Sequence, residues 1–254
     1  MKKLICFLTI VFLSSVFAGC TASSNGGSTT PEQTTDPPVV EPPVATAPAG
    51  PTVAIQMQTP KSGDYIAVID TSMGTIKVVL YPEYAPKTVE NFLTHADEGY
   101  YDGLIFHRII ENFMIQGGDP LGTGMGGESI WGEPFDIEPS GALHHIRGAL
   151  AMARRGNTTA SQRSQFYIVQ GKPVNEDLIA QMRSYSAEEG WGDAIANAYA
   201  EVGGDPSLDF KYTVFGQVYE GMDVVDAIAA VETDGNKKPL SDVVINSITT
   251  GKYE

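Results

Sequence analysis

The stretch FHRIIENFMIQGG, Phe106–Gly118, sets one His, one Arg and one Gln among Ile, Phe and Met. Runs this rich in β-branched and aromatic residues read as strand, and the pair Glu111–Asn112 divides this one at a turn. A guanidinium stays charged at every accessible pH. An Arg inside such a run is therefore either paired with a carboxylate or lines a pocket that uses its charge. Spacing alone leaves both readings open for Arg108.

Working outward, the chain offers many strands and few helices. YIAVID (65–70) and TIKVVLY (75–81) alternate apolar and polar residues, and TSMG between them supplies a hairpin turn. APKTVENFLTHADEG (85–99) reads as a helix: Pro86 suits a first turn, Val89, Phe92 and Leu93 share a face, and Gly99 ends it. LIFHRII and FMIQGG are strands. GDPLGTGMGGESIWGEP (118–134) is a Gly-rich loop. GALAMAR (148–154), SQFYIVQ (164–170) and KYTVFGQVY (211–219) are further strands, GMDVVDAIAAV (221–231) is a helix and DVVINSITT (242–250) a last strand. Strands that outnumber two well-spaced helices predict a mainly β fold, a closed barrel with helices packed on it, rather than a βαβ alternation. Residues 171–207 interrupt the pattern. Leu178, Ile179 and Met182 fit one helical face, and Ala194, Ile195 and Ala198 a second, so this segment reads as a helical insertion.

The N-terminus reads as a targeting segment. Lys2 and Lys3 precede the apolar run LICFLTIVFLSSVFA, too short for a comfortable membrane span and suited to a secretory signal. FAGC resembles a bacterial lipobox, with Phe17 where that motif prefers Leu, and makes Cys20 the expected lipidated N-terminus after removal of residues 1–19. The competing reading is an ordinary secretory signal. Residues 20–60 are Ser, Thr, Gly and Pro with scattered acids, a composition that cannot offset its ordering entropy, and so form a disordered linker to a domain at 61–254. The two cysteines are Cys6 and Cys20, which leaves no disulfide in the mature domain. The 254-residue chain carries 16 Lys and Arg against 31 Asp and Glu, a formal −15. Loss of Lys2 and Lys3 leaves 14 against 31, or −17. Such a balance argues against nucleic acid as a partner.

FHRIIENFMIQGGDP, GALAMAR, SQFYIV and FGQVYEGMDVVDAI, in that order, with APKTVENF and YYDGLIFHR in support, resemble the cyclophilin-type peptidyl-prolyl cis–trans isomerases over roughly residues 64–250. The resemblance implies an eight-stranded antiparallel closed β-barrel capped by two α-helices, here with the insertion added. It implies an enzyme that turns X–Pro bonds in unfolded or folding polypeptides without cofactor or metal. By that resemblance Arg108 is the catalytic donor. Phe113 and Met114 are pocket walls, Gln116 holds the substrate backbone, and Ala153 lets that backbone approach. Tyr167 stands where Phe is usual, and its hydroxyl needs a partner. Leu208 is apolar lining, and Tyr212 stands where many members carry His. Ser207 stands where animal members carry a Trp known for cyclosporin contact. Strand alternation puts Phe113 with Ile115 and Met114 with Gln116, so grouping Phe113, Met114 and Gln116 implies a twist or bulge. Trp191 or Tyr199 folding back to replace the missing wall is one expectation for the insertion, and a decoration distant from the site is the other. RRGNTTASQR (154–163) is longer and richer in Arg than its counterpart in many relatives and is placed to shape the subsite before the proline.

Other readings are weaker. His107 lacks a nucleophile elbow to serve a hydrolase triad. His144 and His145, as strand neighbours, point to opposite faces and have no HExxH partner, so no metal site is expected. The glycines of LGTGMGGE do not open a helix after a strand, which removes the phosphate-cradle reading. A monomeric isomerase, lipid-anchored outside the cytoplasm on a bacterial membrane, is the expectation. A proline-peptide-binding chaperone module with little turnover is the alternative. A solute-binding lipoprotein demands a two-lobed α/β fold that the strand pattern opposes.

Overall fold

The computed structural model describes residues 53–156, 158–185 and 189–254. The signal segment, Cys20 and the linker as far as residue 52 lie outside the described residues. Nine strands form one antiparallel sheet: β1 Tyr65–Thr71, β2 Gly74–Leu80, β3 Arg108–Ile110, β4 Met114–Gly117, β5 Phe135–Asp136, β6 Ala149–Arg154, β7 Ala160–Val169, β8 Val214–Glu220 and β9 Ile245–Lys252. Among the described residues four α-helices accompany them: α1 Pro86–Asp97, α2 Glu176–Arg183, α3 Asp193–Val202 and α4 Met222–Ala229. The β1–β2 hairpin turns at Ser72–Met73, with Thr71 paired to Gly74.

Eight strands run in the order β3-β4-β7-β6-β8-β2-β1-β9, and β5 pairs with β7 beside this path. Two expectations need correcting here. The sheet has nine strands rather than eight, because Phe135–Asp136, inside a stretch too polar to read as strand, pairs with Gln162 and Ala160. The barrel is also not closed. No ladder joins β3 to β9. Their approaches meet at one isolated bridge, Ile105 to Val244, and the result is an open half-barrel. The cause is local: Gly103 turns at φ +77°, and strand geometry begins only at Arg108, so LIF contributes hydrogen bonds but no ladder.

Alternation along the strands divides the apolar residues into two layers. Ile115, Leu150, Met152, Phe166, Ile168 and Phe215 face the interior, where Val89, Phe92 and Ala96 of α1 and Val225 and Ile228 of α4 cover them. Phe92 anchors this layer. Its ring lies 5.4, 5.5 and 5.2 Å from those of Tyr101, Phe166 and Phe215. Burying one such ring stabilises by about 1.5–3 kcal/mol. Met114, Ala149, Ala151, Tyr167, Val169 and Val214 face the other way and form a second apolar layer.

The insertion is helical, as its spacing predicts. Ile179, Met182, Ile195, Ala198 and Tyr199 pack with Ala54 and Ile146, whereas Leu178 is exposed. Residues 53–60, assigned to the linker by composition, belong to the fold. A 3-10 turn at Ile55–Met57 buries Gln56, whose side chain donates to the His144 carbonyl and accepts from the His144 N–H. The insertion closes at its neck on Gly204, which forms isolated bridges, outside the sheet, to both Ile146 and Lys172. Gly204 holds φ +144°, and a Cβ there meets Ile146 Cα at 2.8 Å and Tyr199 Cε1 at 2.9 Å. Gly204→Ala is therefore expected to cost about 2–3 kcal/mol and to lower the unfolding temperature by roughly 4–10 °C. An unchanged thermal melt contradicts this account of the neck.

Candidate active site

The second apolar layer carries the predicted residues. Phe113, Ala153, Leu208 and Tyr212, partly buried, pack against Met114 and Tyr167. Arg108 and Gln116 are paired residues of β3 and β4 at the edge of the same face. The sheet and the loops that adjoin it thus bring together all eight residues expected from sequence at the site. The predicted twist or bulge is not what gathers them. Phe113 precedes β4, in the turn Glu111–Phe113 where Asn112 takes φ +61°, so strand alternation never applies to it. Within β4 the alternation holds, with Met114 on the site face and Ile115 in the core.

Arg108 is half-buried and has no ion pair among the described residues. Its Nη1 donates to Gln116 Oε1 at 3.4 Å and approaches Met114 Sδ at 3.9 Å, and its Cζ lies 6.0 Å from the centre of the Phe113 ring. Among the described residues the salt-bridged alternative for Arg108 therefore finds no partner. Nε and Nη2 have no protein partner among the described residues, so donors remain for a ligand. Gln116 is held in turn, its Nε2 donating to Gln165 Oε1 at 3.0 Å, while Gln165 Nε2 donates to the Gly126 carbonyl at 2.8 Å. Gln165 was missed from sequence. The signal was present, since it lies two residues from Tyr167 on β7 and so shares its face.

The Gly-rich loop is tied down from within. Asp119 accepts backbone N–H bonds from Leu121 at 2.9 Å and Thr123 at 2.9 Å, and from Gly124. Burial lifts the Asp119 pKa, but these donors outweigh it and hold the carboxyl below its ordinary range. His107 is buried and neither ring nitrogen has a partner among the described residues, so no triad forms; burial lowers its pKa.

Three side chains furnish the far side of the face. Tyr167 is 5% exposed, and burial raises its pKa well above the ordinary phenol value. The partner its hydroxyl needs is His145 Nε2, 3.0 Å away. Tyr212 stands edge-on to Tyr167 at 6.0 Å, and Arg154 Cζ lies 5.6 Å from the centre of its ring. Arg154 is anchored by donating to the Lys211 and Thr158 carbonyls, and Arg155 by donating to that of Met125, so the Arg-rich loop borders the site.

Two further expectations are corrected. His144 and His145 do not point to opposite faces. Residues 143–145 are not a strand, and both rings converge on Asp209, Nδ1 to carboxylate oxygen 2.9 and 2.8 Å. Among the described residues no group of such side chains is placed to hold a metal. Trp191 and Tyr199 neither rebuild a pocket wall nor lie far away. Trp191 packs 5.3 Å from His144 and 5.4 Å from Phe210, and the Tyr199 hydroxyl donates to Asp209 at 2.8 Å, directly behind the site. A separate cavity of about 1110 Å3 lies between Val53–Tyr65, Tyr81–Tyr84 and the insertion, and none of the predicted site residues lines it.

Residues 66–250 match the family model described as cyclophilin type peptidyl-prolyl cis-trans isomerase/CLD. A Staphylococcus saprophyticus protein named "Putative peptidyl-prolyl cis-trans isomerase" is 50% identical over 194 residues, covering 76% of this chain and 95% of its own length. The protein of the same name from Staphylococcus aureus strain USA300 is 49% identical over 188 residues, covering 74% and 92%. A crystal structure of a cyclophilin type isomerase from Cryptosporidium parvum aligns with TM-score 0.59 and 31% identity, over 75% of this chain and 99% of that one. Its structure in the presence of the dipeptide Ala-Pro aligns with TM-score 0.57 and 32% identity, over 72% and 96%. The chain belongs to the cyclophilin-type peptidyl-prolyl cis–trans isomerases.

Proposed function

We propose that this isomerase turns X–Pro bonds in exported proteins while tethered, outside the cytoplasm, to a bacterial membrane through lipid on Cys20. An X–Pro amide rotates slowly because conjugation gives its C–N bond double-bond character, with a barrier of about 18–20 kcal/mol. Rotation requires the nitrogen to lose that conjugation, and neither nucleophile, metal nor bond cleavage is involved. A cationic donor aimed at the prolyl nitrogen favours the pyramidal, twisted state over the planar one, which is preferential transition-state binding. In this reading Arg108 is that donor. Phe113, Met114, Tyr167 and Leu208 grip the ring, Gln116 and Tyr212 bind the neighbouring backbone, and Ala153 leaves room for it. The observation that carries the reading is the half-buried guanidinium of Arg108, which has no carboxylate partner among the described residues and lies beside an apolar face.

A protease-coupled assay on an X–Pro peptide tests it: the chain is expected to accelerate the slow phase that isomerisation limits. Saturable peptide binding without acceleration instead favours the chaperone module, the reading to which Ser207 and Tyr212 point. For the anchor, mass spectrometry of the mature N-terminus is expected to find acylated Cys20, since two or more chains hold a protein at a membrane where one does not. An unmodified, freely secreted species contradicts it.

A further inference from the structure

Behind the apolar face lies a buried polar assembly that the proposed chemistry leaves unused. The Asp209 side chain is 1% exposed, between the fully buried rings of His144 and His145. Its Oδ1 accepts from the backbone N–H of His145 at 2.8 Å and from His145 Nδ1 at 2.8 Å. Its Oδ2 accepts from His144 Nδ1 at 2.9 Å and from the Tyr199 hydroxyl at 2.8 Å. A carboxylate only accepts, so each partner must donate, and His145 carries its proton on Nδ1. In the neutral ring Nε2 is then an acceptor, and the Tyr167 hydroxyl, 3.0 Å away, donates to it. The chain of donors runs in one direction at each end: Tyr199 to Asp209 from the insertion, and Tyr167 to His145 from the sheet.

The insertion grips the same loop a second time. Phe210 takes φ +61°, a left-handed conformation that costs strain for an aromatic residue and persists only where surroundings enforce it. The enforcing contacts are Trp191 at 5.4 Å and His144 at 5.7 Å. Phe210 and Asp209 lie between Leu208 and Tyr212, two residues of the apolar face.

We infer that Tyr199, Asp209 and His145 are positioning residues through which the 171–207 insertion sets the proline pocket, by holding the Tyr167 ring in place and its hydroxyl engaged behind the face. The inference rests on the proposed reading of Tyr167 as a pocket wall. The expected signature is in substrate affinity. A ring gripped alike in the planar and twisted states contributes uniform binding, so loosening Tyr167 raises KM and leaves kcat nearly unchanged. A merely structural role for Tyr199 instead lowers the active fraction, hence apparent kcat, at constant KM.

The test is a double-mutant cycle of Tyr199→Phe and Tyr167→Phe, read as KM and as the peptide Kd from titration. Tyr199→Phe alone is expected to raise both by roughly 3- to 10-fold, and to add nothing in the Tyr167→Phe background, because the two hydroxyls act at opposite ends of one chain. Equal effects in both backgrounds, or an unchanged KM and Kd for Tyr199→Phe, overturn the inference. A wild type that binds peptide without turnover sinks the catalytic reading alone, and the Kd cycle still decides this one. Should Tyr199→Phe fail to fold, 15N NMR of the wild-type imidazoles decides: His145 protonated on Nδ1 with Nε2 accepting is expected, and protonation on Nε2 overturns it.

Discussion

Replacing Arg108 by Ala is expected to lower kcat/KM on an X–Pro peptide by about 10²–10³-fold, the effect of removing one preorganised donor from a developing charge. The fold is expected to survive. Arg108 is half-buried, has no ion pair among the described residues and touches the protein chiefly through Gln116 and Met114, so its loss orphans no buried carboxylate. Arg108→Lys separates charge from geometry. Lysine keeps the cation but lacks the planar fork that can hold Gln116 and address a ligand at once, so it is expected to recover only part of the loss. Full activity in Arg108→Ala, with wild-type unfolding temperature, removes Arg108 from the chemistry.

Asp209→Ala is expected to cost about 3–5 kcal/mol of stability, the largest loss anticipated for a single side chain here. The carboxylate meets four donors, and its removal leaves two imidazoles, a phenol and a backbone N–H buried without an acceptor. The same site gives an acid limb. Burial pushes the Asp209 pKa up, but hydrogen bonds from His144 and His145 outweigh that and set it at about 2, against an ordinary 3.8. The folded pKa is depressed, so the contribution is complete above about pH 4 and is lost as pH falls toward 2. The difference corresponds to about 2 kcal/mol. Chemical denaturation between pH 5 and 2 is expected to show this limb in the wild type and to lack it in Asp209→Asn. An identical limb in both assigns the acid sensitivity elsewhere.

Local pattern made most of the sheet legible. The β1–β2 hairpin, the helix starting at Pro86 and the strands around Met114, Met152 and Tyr167 follow from periodicity and turn residues. Strand β5 was not legible, because two residues carry no period and pairing to Gln162 is a long-range event. Barrel closure was overestimated because LIFHRII looks uniformly strand-like, whereas Gly103 delays regular geometry to Arg108. In the site, resemblance placed Arg108 and its neighbours on one face, but the reason given for Phe113 was wrong: a turn with left-handed Asn112 does what a bulge was expected to do. The Asp209 assembly was hidden for a different reason. His144 lies 65 residues from Asp209, each member looks ordinary alone, and reading His144 and His145 as strand neighbours aimed the two histidines apart.

The most direct test of the central claim is NMR exchange spectroscopy on an X–Pro peptide at equilibrium, where nothing is cut and nothing is consumed. Wild-type protein at catalytic concentration is expected to give cis–trans exchange cross-peaks. Arg108→Ala is expected to shift the peptide resonances with similar affinity and to give none. Equal exchange rates for the two proteins contradict the claim that the Arg108 guanidinium lowers the rotation barrier.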